Sequence, residues 1–212
     1  MHTVYRIDPN IKIVKPDDMV REPVIVRVTE FDNEGVEDFN EQFTNALSSD
    51  QPVIPIVVDS FGGSCYGCLS MLNSIQNSPK PVATIVTAKA MSAGAILFAF
   101  GTNGYRYMAP DAHLMLHDVS SIAFGKIEDL KVDVGHTEDL NRIVYRRMAA
   151  HLGKPADYFL DLLREHKHLD LFMNGKVAKK HGIANHLRLP NFELHMSVSY
   201  VFDGKKLPER KA

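Results

Sequence analysis

Apolar and polar positions recur along this chain with two periods, one near two and one near 3.6, and their order predicts alternating strands and helices. Residues 23–28, Pro23-Val24-Ile25-Val26-Arg27-Val28, are β-branched and bounded by turn formers, which predicts a strand. Over residues 33–49 the apolar positions Val36, Phe39, Phe43 and Leu47 fall at steps of three and four, the mark of an amphipathic helix. Residues 53–58, Val53-Ile54-Pro55-Ile56-Val57-Val58, are almost continuously apolar, as in a strand buried on both faces. That strand breaks at Asp59-Ser60-Phe61-Gly62-Gly63-Ser64, and residues 65–76 then read as a helix. Residues 81–87 predict a third strand, 92–100 a short helix, and 105–108 and 112–117 two further strands separated by Pro110-Asp111. Strands alternating with helices predict an α/β domain with parallel pairing and right-handed crossovers.

The segment 126–152 sets Ile127, Leu130, Val134, Leu140, Ile143, Val144 and Met148 among many charges, and Gly153-Lys154-Pro155 stops it. A helix this long in a small α/β domain either lies across its own sheet or protrudes to pack on a partner, and the pattern leaves both open. Residues 1–22 are polar and interrupted by Pro9 and Pro16, so they read as an irregular arm. One domain is expected over 23–190, with 191–212 as a C-terminal extension.

Composition narrows the class further. With 45% apolar and 24% charged residues the chain has the balance of a soluble globular protein. A net charge of -2 and a pI near 6.5 argue against nucleic acid and anionic membranes as partners. Only Cys65 and Cys68 could pair, too few for a disulfide framework. The start Met1-His2-Thr3-Val4-Tyr5-Arg6 lacks the apolar core of a signal peptide, and the longest apolar stretch, 93–100, is too short to span a bilayer. A cytoplasmic protein is the expectation.

Candidate chemistry gathers at strand ends. Ala90-Met91-Ser92-Ala93-Gly94-Ala95 puts a serine among small residues between a buried strand and a helix, which suits a nucleophile on a sharp turn. A plain helix N-cap would give the same pattern. Gly62-Gly63 could bring backbone N–H groups close to a ligand, and one of them with the Ala93 N–H could make a two-donor oxyanion hole; an ordinary turn would look alike. His117 ends an apolar strand, where α/β sheets place functional groups, and an imidazole can both take and return a proton near neutrality. A structural histidine is the alternative, since the chain has 10 of them. Asp170 lies amid Leu169, Leu171, Phe172 and Met173, so burial and hydrogen bonding are expected of it, as of an acid that orients a catalytic imidazole; a helix N-cap for the segment beginning near Asn174 is the alternative.

Taken in order, Val58-Asp59-Ser60-Phe61-Gly62-Gly63, Ala90-Met91-Ser92-Ala93-Gly94-Ala95, Leu114-Met115-Leu116-His117 and Asp170-Leu171-Phe172-Met173 resemble the proteolytic subunit of the Clp protease. Phe172-Met173-Asn174, Ala178 and His181-Gly182-Ile183-Ala184 are similar to that family's segment after its acid, and the likeness covers about residues 24–187. The resemblance implies a ClpP/crotonase-type ββα superhelix with a protruding handle helix at about 119–152. It implies Ser92 as nucleophile, His117 as base, Asp170 as acid, and the N–H groups of Gly63 and Ala93 as the oxyanion hole. It further implies a homo-oligomer of heptameric rings, single or paired as a tetradecamer, an AAA+ unfoldase as partner, peptide substrates and no cofactor.

Departures from that family are local. Its usual Asn-Ser-Pro-Gly-Gly reads here Asp59-Ser60-Phe61-Gly62-Gly63, which removes a preset φ and adds a charge. About four additional residues stand between Gly153 and Asp170, roughly one helical turn, leaving Asp161 and Glu165 as rivals for the acid. The arm and the tail do not resemble the family's. Cys65-Tyr66-Gly67-Cys68 could be redox-active or bind metal, though inert thiols are expected, and His166 and His168 read as an exposed turn. Lys89 could serve as base in a Ser–Lys dyad. An acyl-CoA enzyme of the crotonase type and a catalytically impaired Clp-like scaffold are the competing functions.

Overall fold

The computed structural model describes residues 23–122 and 124–191, together with the backbone of 201–202 and 205–206. One compact unit runs Pro23–Pro190; a second comprises Met1–Glu22 and Asn191–Ala212. The expectations for the N-terminal arm, and most of those for the extension, lie outside the described residues.

Twelve elements build the first unit: β1 (Val26–Val28), α1 (Asn33–Ser48), β2 (Ile54–Ser60), α2 (Cys65–Gln76), β3 (Val82–Met91), α3 (Ala93–Ala99), β4 (Arg106–Met108), β5 (His113–Leu116), α4 (Ile127–His151), α5 (Tyr158–Glu165), β6 (Leu171–Asn174) and α6 (Gly175–Lys180). The second unit contains a short antiparallel ribbon, β7 (Val201–Phe202) with β8 (Lys205–Lys206).

The strands form a sheet in the order β1-β2-β3-β5-β6, with β4 also on β3. β3 is long enough to take two neighbours in succession: Thr84–Val86 pair with β4, and Lys89–Met91 pair with β5. Pairing is parallel from β1 through β5, as the alternation of elements predicts. β6 departs from that expectation and runs antiparallel to β5. Two helices, α4 and α5, separate β5 from β6, and the extra reversal brings the chain into the sheet from the opposite end.

Asp32 caps α1 by accepting from the Gly35 N–H at 2.8 Å, and the helix buries Phe39, Phe43 and Ala46. Phe39 and Phe43 stack with ring centres 5.2 Å apart, each burial worth about 1.5–3 kcal/mol. All seven residues of α3 are buried, so this helix is a core element and fixes whatever precedes it. In α4 only the C-terminal half is buried, through Val144, Tyr145, Met148 and Ala149; Ile127, Val132 and Val134 in its first half are exposed. The helix therefore does not lie across its own sheet along its whole length. Among the described residues no helix is long and apolar enough to cross a membrane.

The core is closed by one buried cation. Arg106 is 4% exposed and donates to the carbonyls of Gly101, Gly182 and Ile183, tying β4 to the turn after α3 and to the segment after α6. Replacing it by Met would leave three carbonyls without that partner, so Arg106→Met is expected to lose about 2–4 kcal/mol of unfolding free energy in urea titrations.

His151 reaches the same Gly101 carbonyl through Nε2 and stacks on Phe100 at 4.8 Å. Burial holds its pKa below the ordinary imidazole value, and His181 is lowered likewise by burial and by Lys180 and Lys154. A pKa depressed by folding means that the unfolded chain binds more protons, so this stability is present above the ordinary imidazole pKa and is lost as pH falls. The melting temperature is expected to fall between about pH 7.5 and pH 5.5, and His151→Gln to flatten part of that slope.

Candidate active site

Ser92 connects the end of β3 to the first turn of α3 with φ 52 and ψ -121, a conformation that residues with a side chain rarely adopt. Backbone bonds enforce it. The Ser92 N–H donates to the Met115 carbonyl of β5 at 2.8 Å, and its own carbonyl accepts from Ala95 and Ile96. Its side chain makes no capping bond to α3, so the plain N-cap explanation does not account for this serine. The hydroxyl faces His117 instead, with Oγ 2.7 Å from Nε2.

His117 stands one residue beyond β5 and is half-buried. The Tyr145 hydroxyl on α4 donates to the His117 carbonyl, and burial pushes that phenol's pKa up, keeping it a donor. One turn away Asn141 accepts from the Val119 N–H at 2.9 Å and donates to Asp118 Oδ1 at 2.8 Å. Sequence reasoning missed both supports. Two polar residues four apart within the apolar stripe of α4 were the available signal.

Asp170 is placed by register. β5 and β6 pair His113 with Asn174 through Leu116 with Leu171, and His117 and Asp170 are the residues just beyond the end of that ladder. Yet Asp170 is exposed, contrary to the expected burial, and among the described residues no hydrogen bond joins it to His117. β6 is the last strand of the sheet, with Phe172 61% exposed on it and Leu169 62% exposed just before it, and among the described residues no further strand pairs with this edge. Of its rivals, Asp161 pairs with Arg164 at 2.6 Å, and Glu165, the last residue of α5, has no hydrogen bond to His117 among the described residues. Asp118, adjacent to His117, accepts from His168 Nδ1 at 2.6 Å through its second oxygen.

Gly62 and Gly63 have φ of +104 and +151. The buried Ser60 closes the turn by accepting from the Gly62 N–H at 3.0 Å. A Cβ on Gly62 would stand 2.7 Å from Ser92 Cβ and 3.2 Å from the Ala93 nitrogen, so only glycine lets this loop approach the serine. Among the described residues the N–H groups of Gly63 and Ala93 have no protein acceptor. A cleft of about 300 Å³ opens between the start of α2, the segment after His117 and the middle of α4, lined by Cys65, Tyr66, Val119, Ser121, His136 and Leu140.

Lys89 is bonded to Asp59 Oδ1 at 2.6 Å, and no hydrogen bond joins it to Ser92 among the described residues. Cys68 is buried and Cys65 half-buried, and burial raises both thiol pKa values, which disfavours thiolate chemistry. No group of three potential metal ligands occurs among the described residues.

Comparison with known proteins gives a concordant picture. The sequence model of the Clp protease family matches residues 11–189. A curated relative, the ATP-dependent Clp protease proteolytic subunit 3 of Nocardia farcinica (strain IFM 10152), is 28% identical over 160 residues, 74% of this chain. The chain spans 64% of that relative's length.

Gly62→Ala tests the close approach. The added methyl group cannot coexist with the present Ser92 position, and φ +104 disfavours it further. The rate at which Ser92 captures a fluorophosphonate is expected to fall about 100-fold or more relative to wild type, together with a loss of about 1–3 kcal/mol of unfolding free energy in urea titrations.

Proposed function

The chain belongs to the Clp protease family, with the ClpP/crotonase-like α/β fold, and from that premise we propose that it is a serine endopeptidase acting on unfolded proteins or peptides inside a ring-shaped oligomer. The observation that carries the reading is the 2.7 Å contact between Ser92 Oγ and His117 Nε2 at a turn held at positive φ.

In this reading Ser92 attacks the scissile carbonyl while His117 Nε2 takes the hydroxyl proton. The carbonyl oxygen becomes an anion held by the N–H groups of Gly63 and Ala93. Collapse of the tetrahedral intermediate breaks the C–N bond, and His117 passes its proton to the leaving amine. Water then enters, loses a proton to the same nitrogen and attacks the acyl carbon; collapse breaks the bond to Ser92 Oγ, which takes the proton back from His117 as the acid product leaves. A substrate side chain would enter the cleft between the start of α2 and Val119. Asp170, just beyond the end of the β5–β6 ladder as His117 is, would turn to Nδ1 and fix the imidazole tautomer.

The exposed apolar first half of α4 supports a homo-oligomer built through this handle. The Nocardia relative is named as an ATP-dependent protease subunit, which supports an ATP-using partner for this chain; an AAA+ unfoldase and a cytoplasmic location are part of the same proposal. One observation favours the impaired-scaffold alternative, namely the missing contact between Asp170 and His117.

Fluorophosphonate labelling and peptide hydrolysis separate the two. Wild type is expected to label and turn over; Ser92→Ala should lose the label and at least about 10⁴-fold in turnover, at an unchanged mass by light scattering. Asp170→Asn should slow turnover by about 10²–10⁴-fold. Hydrolysis retained by Ser92→Ala refutes the peptidase reading, and an assembled wild type that takes no label establishes the scaffold.

A further inference from the structure

The β2–β3 ladder slips where it approaches the site. Val58 faces Val86, yet Ser60 faces Ala90, so β3 carries two more residues than β2 across this interval. A bulge of this kind interrupts ladder hydrogen bonds and re-aims side chains. Lys89 ends the bulge, and Asp59 is the residue that β2 contributes opposite it. Lys89 Nζ donates to Asp59 Oδ1 at 2.6 Å and also lies 4.6 Å from the centre of the Phe61 ring. One ammonium therefore touches the two side chains flanking Ser60, whose hydroxyl closes the Gly62 turn.

We propose that Lys89 is a positioning residue for the oxyanion hole: it clamps Asp59 and Phe61 across the bulge and so holds the Gly62–Gly63 turn against Ser92. The catalytic consequence rests on the peptidase reading above; the clamp itself does not. Magnitudes favour a local role over a global one. The Lys89 and Asp59 side chains are 28% and 45% exposed, and ion pairs so exposed add little to overall stability. Phe61 is 77% exposed, so its ring is held by the ammonium more than by core packing. Weak bonds suffice here, because the ladder is already broken and only a short turn needs its freedom reduced. A base role suits this lysine poorly, since an ammonium paired with a carboxylate has no lone pair to offer.

The test compares Lys89→Met, which keeps the stem and removes the charge, with Lys89→Arg, which keeps both contacts. Amide hydrogen exchange read by mass spectrometry over residues 60–64 is expected to quicken about tenfold in Lys89→Met, and within about twofold of wild type in Lys89→Arg, with α1 unaffected in both. On the same preparations the rate of fluorophosphonate capture and kcat should fall about 5–20-fold in Lys89→Met with KM within about twofold, and Lys89→Arg should restore most of both. Unaltered exchange in Lys89→Met overturns the clamp. Faster exchange with capture and kcat intact overturns the positioning role. A rise in KM alone makes Lys89 a substrate contact, and equal losses in Lys89→Met and Lys89→Arg make its amine the reacting group; either overturns the proposal. A wild type that takes no label sinks the peptidase reading, and the clamp then stands or falls on exchange alone.

Discussion

The backbone of Ser92 is held in a conformation that costs about 1–3 kcal/mol, and the surrounding structure exists in large part to offset that cost. Its N–H is bound to β5 and its carbonyl to two amides of a wholly buried helix, bonds worth about 0.5–1.5 kcal/mol each. Releasing the strain would require moving β5 or α3, and α3 cannot move without opening the core. The same bond to Met115 that holds the serine backbone also fixes the strand that delivers His117 two residues later. Hydroxyl and imidazole are thus registered by one backbone ladder, and their 2.7 Å separation follows from it.

The imidazole is braced from the other side by α4. Tyr145 and Asn141 reach back to residues 117–119, so the buried half of that helix belongs to the site while its first half faces outward. A single element thereby joins His117 to the exposed apolar residues through which the proposed oligomer would form. Arg106 and His151 anchor the inner end by meeting at the Gly101 carbonyl.

Much of this was legible in the residues. Apolar runs placed β1 through β5 and α1 through α4 within a few positions, because burial periodicity dominates there. Ser92 and His117 could be singled out because small residues surround the first and an apolar strand precedes the second. β6 was not legible as a strand: it is four residues long and half exposed, so it carries no clean alternation, and its antiparallel direction depends on the path of two helices. The expected burial of Asp170 failed for the same reason, since apolar neighbours signal a covered surface without saying whether this chain supplies the cover. Asp59 and Phe61 read in the sequence as one altered turn and Lys89 as a possible base, and only the bulge shows the three side chains to be neighbours.

The stretch ahead of β6 has a separate consequence. Lys167 and His168 both sit at positive φ in an exposed turn, whereas β6 is locked to β5 by pairs in which a one-residue slip would exchange its two faces. Residues added or removed before the strand are therefore absorbed as slack in the turn and do not propagate into the position of Asp170. Loop length and strand register are decoupled at this point, so a longer connection after α5 leaves the pairing of β6 with β5 unchanged.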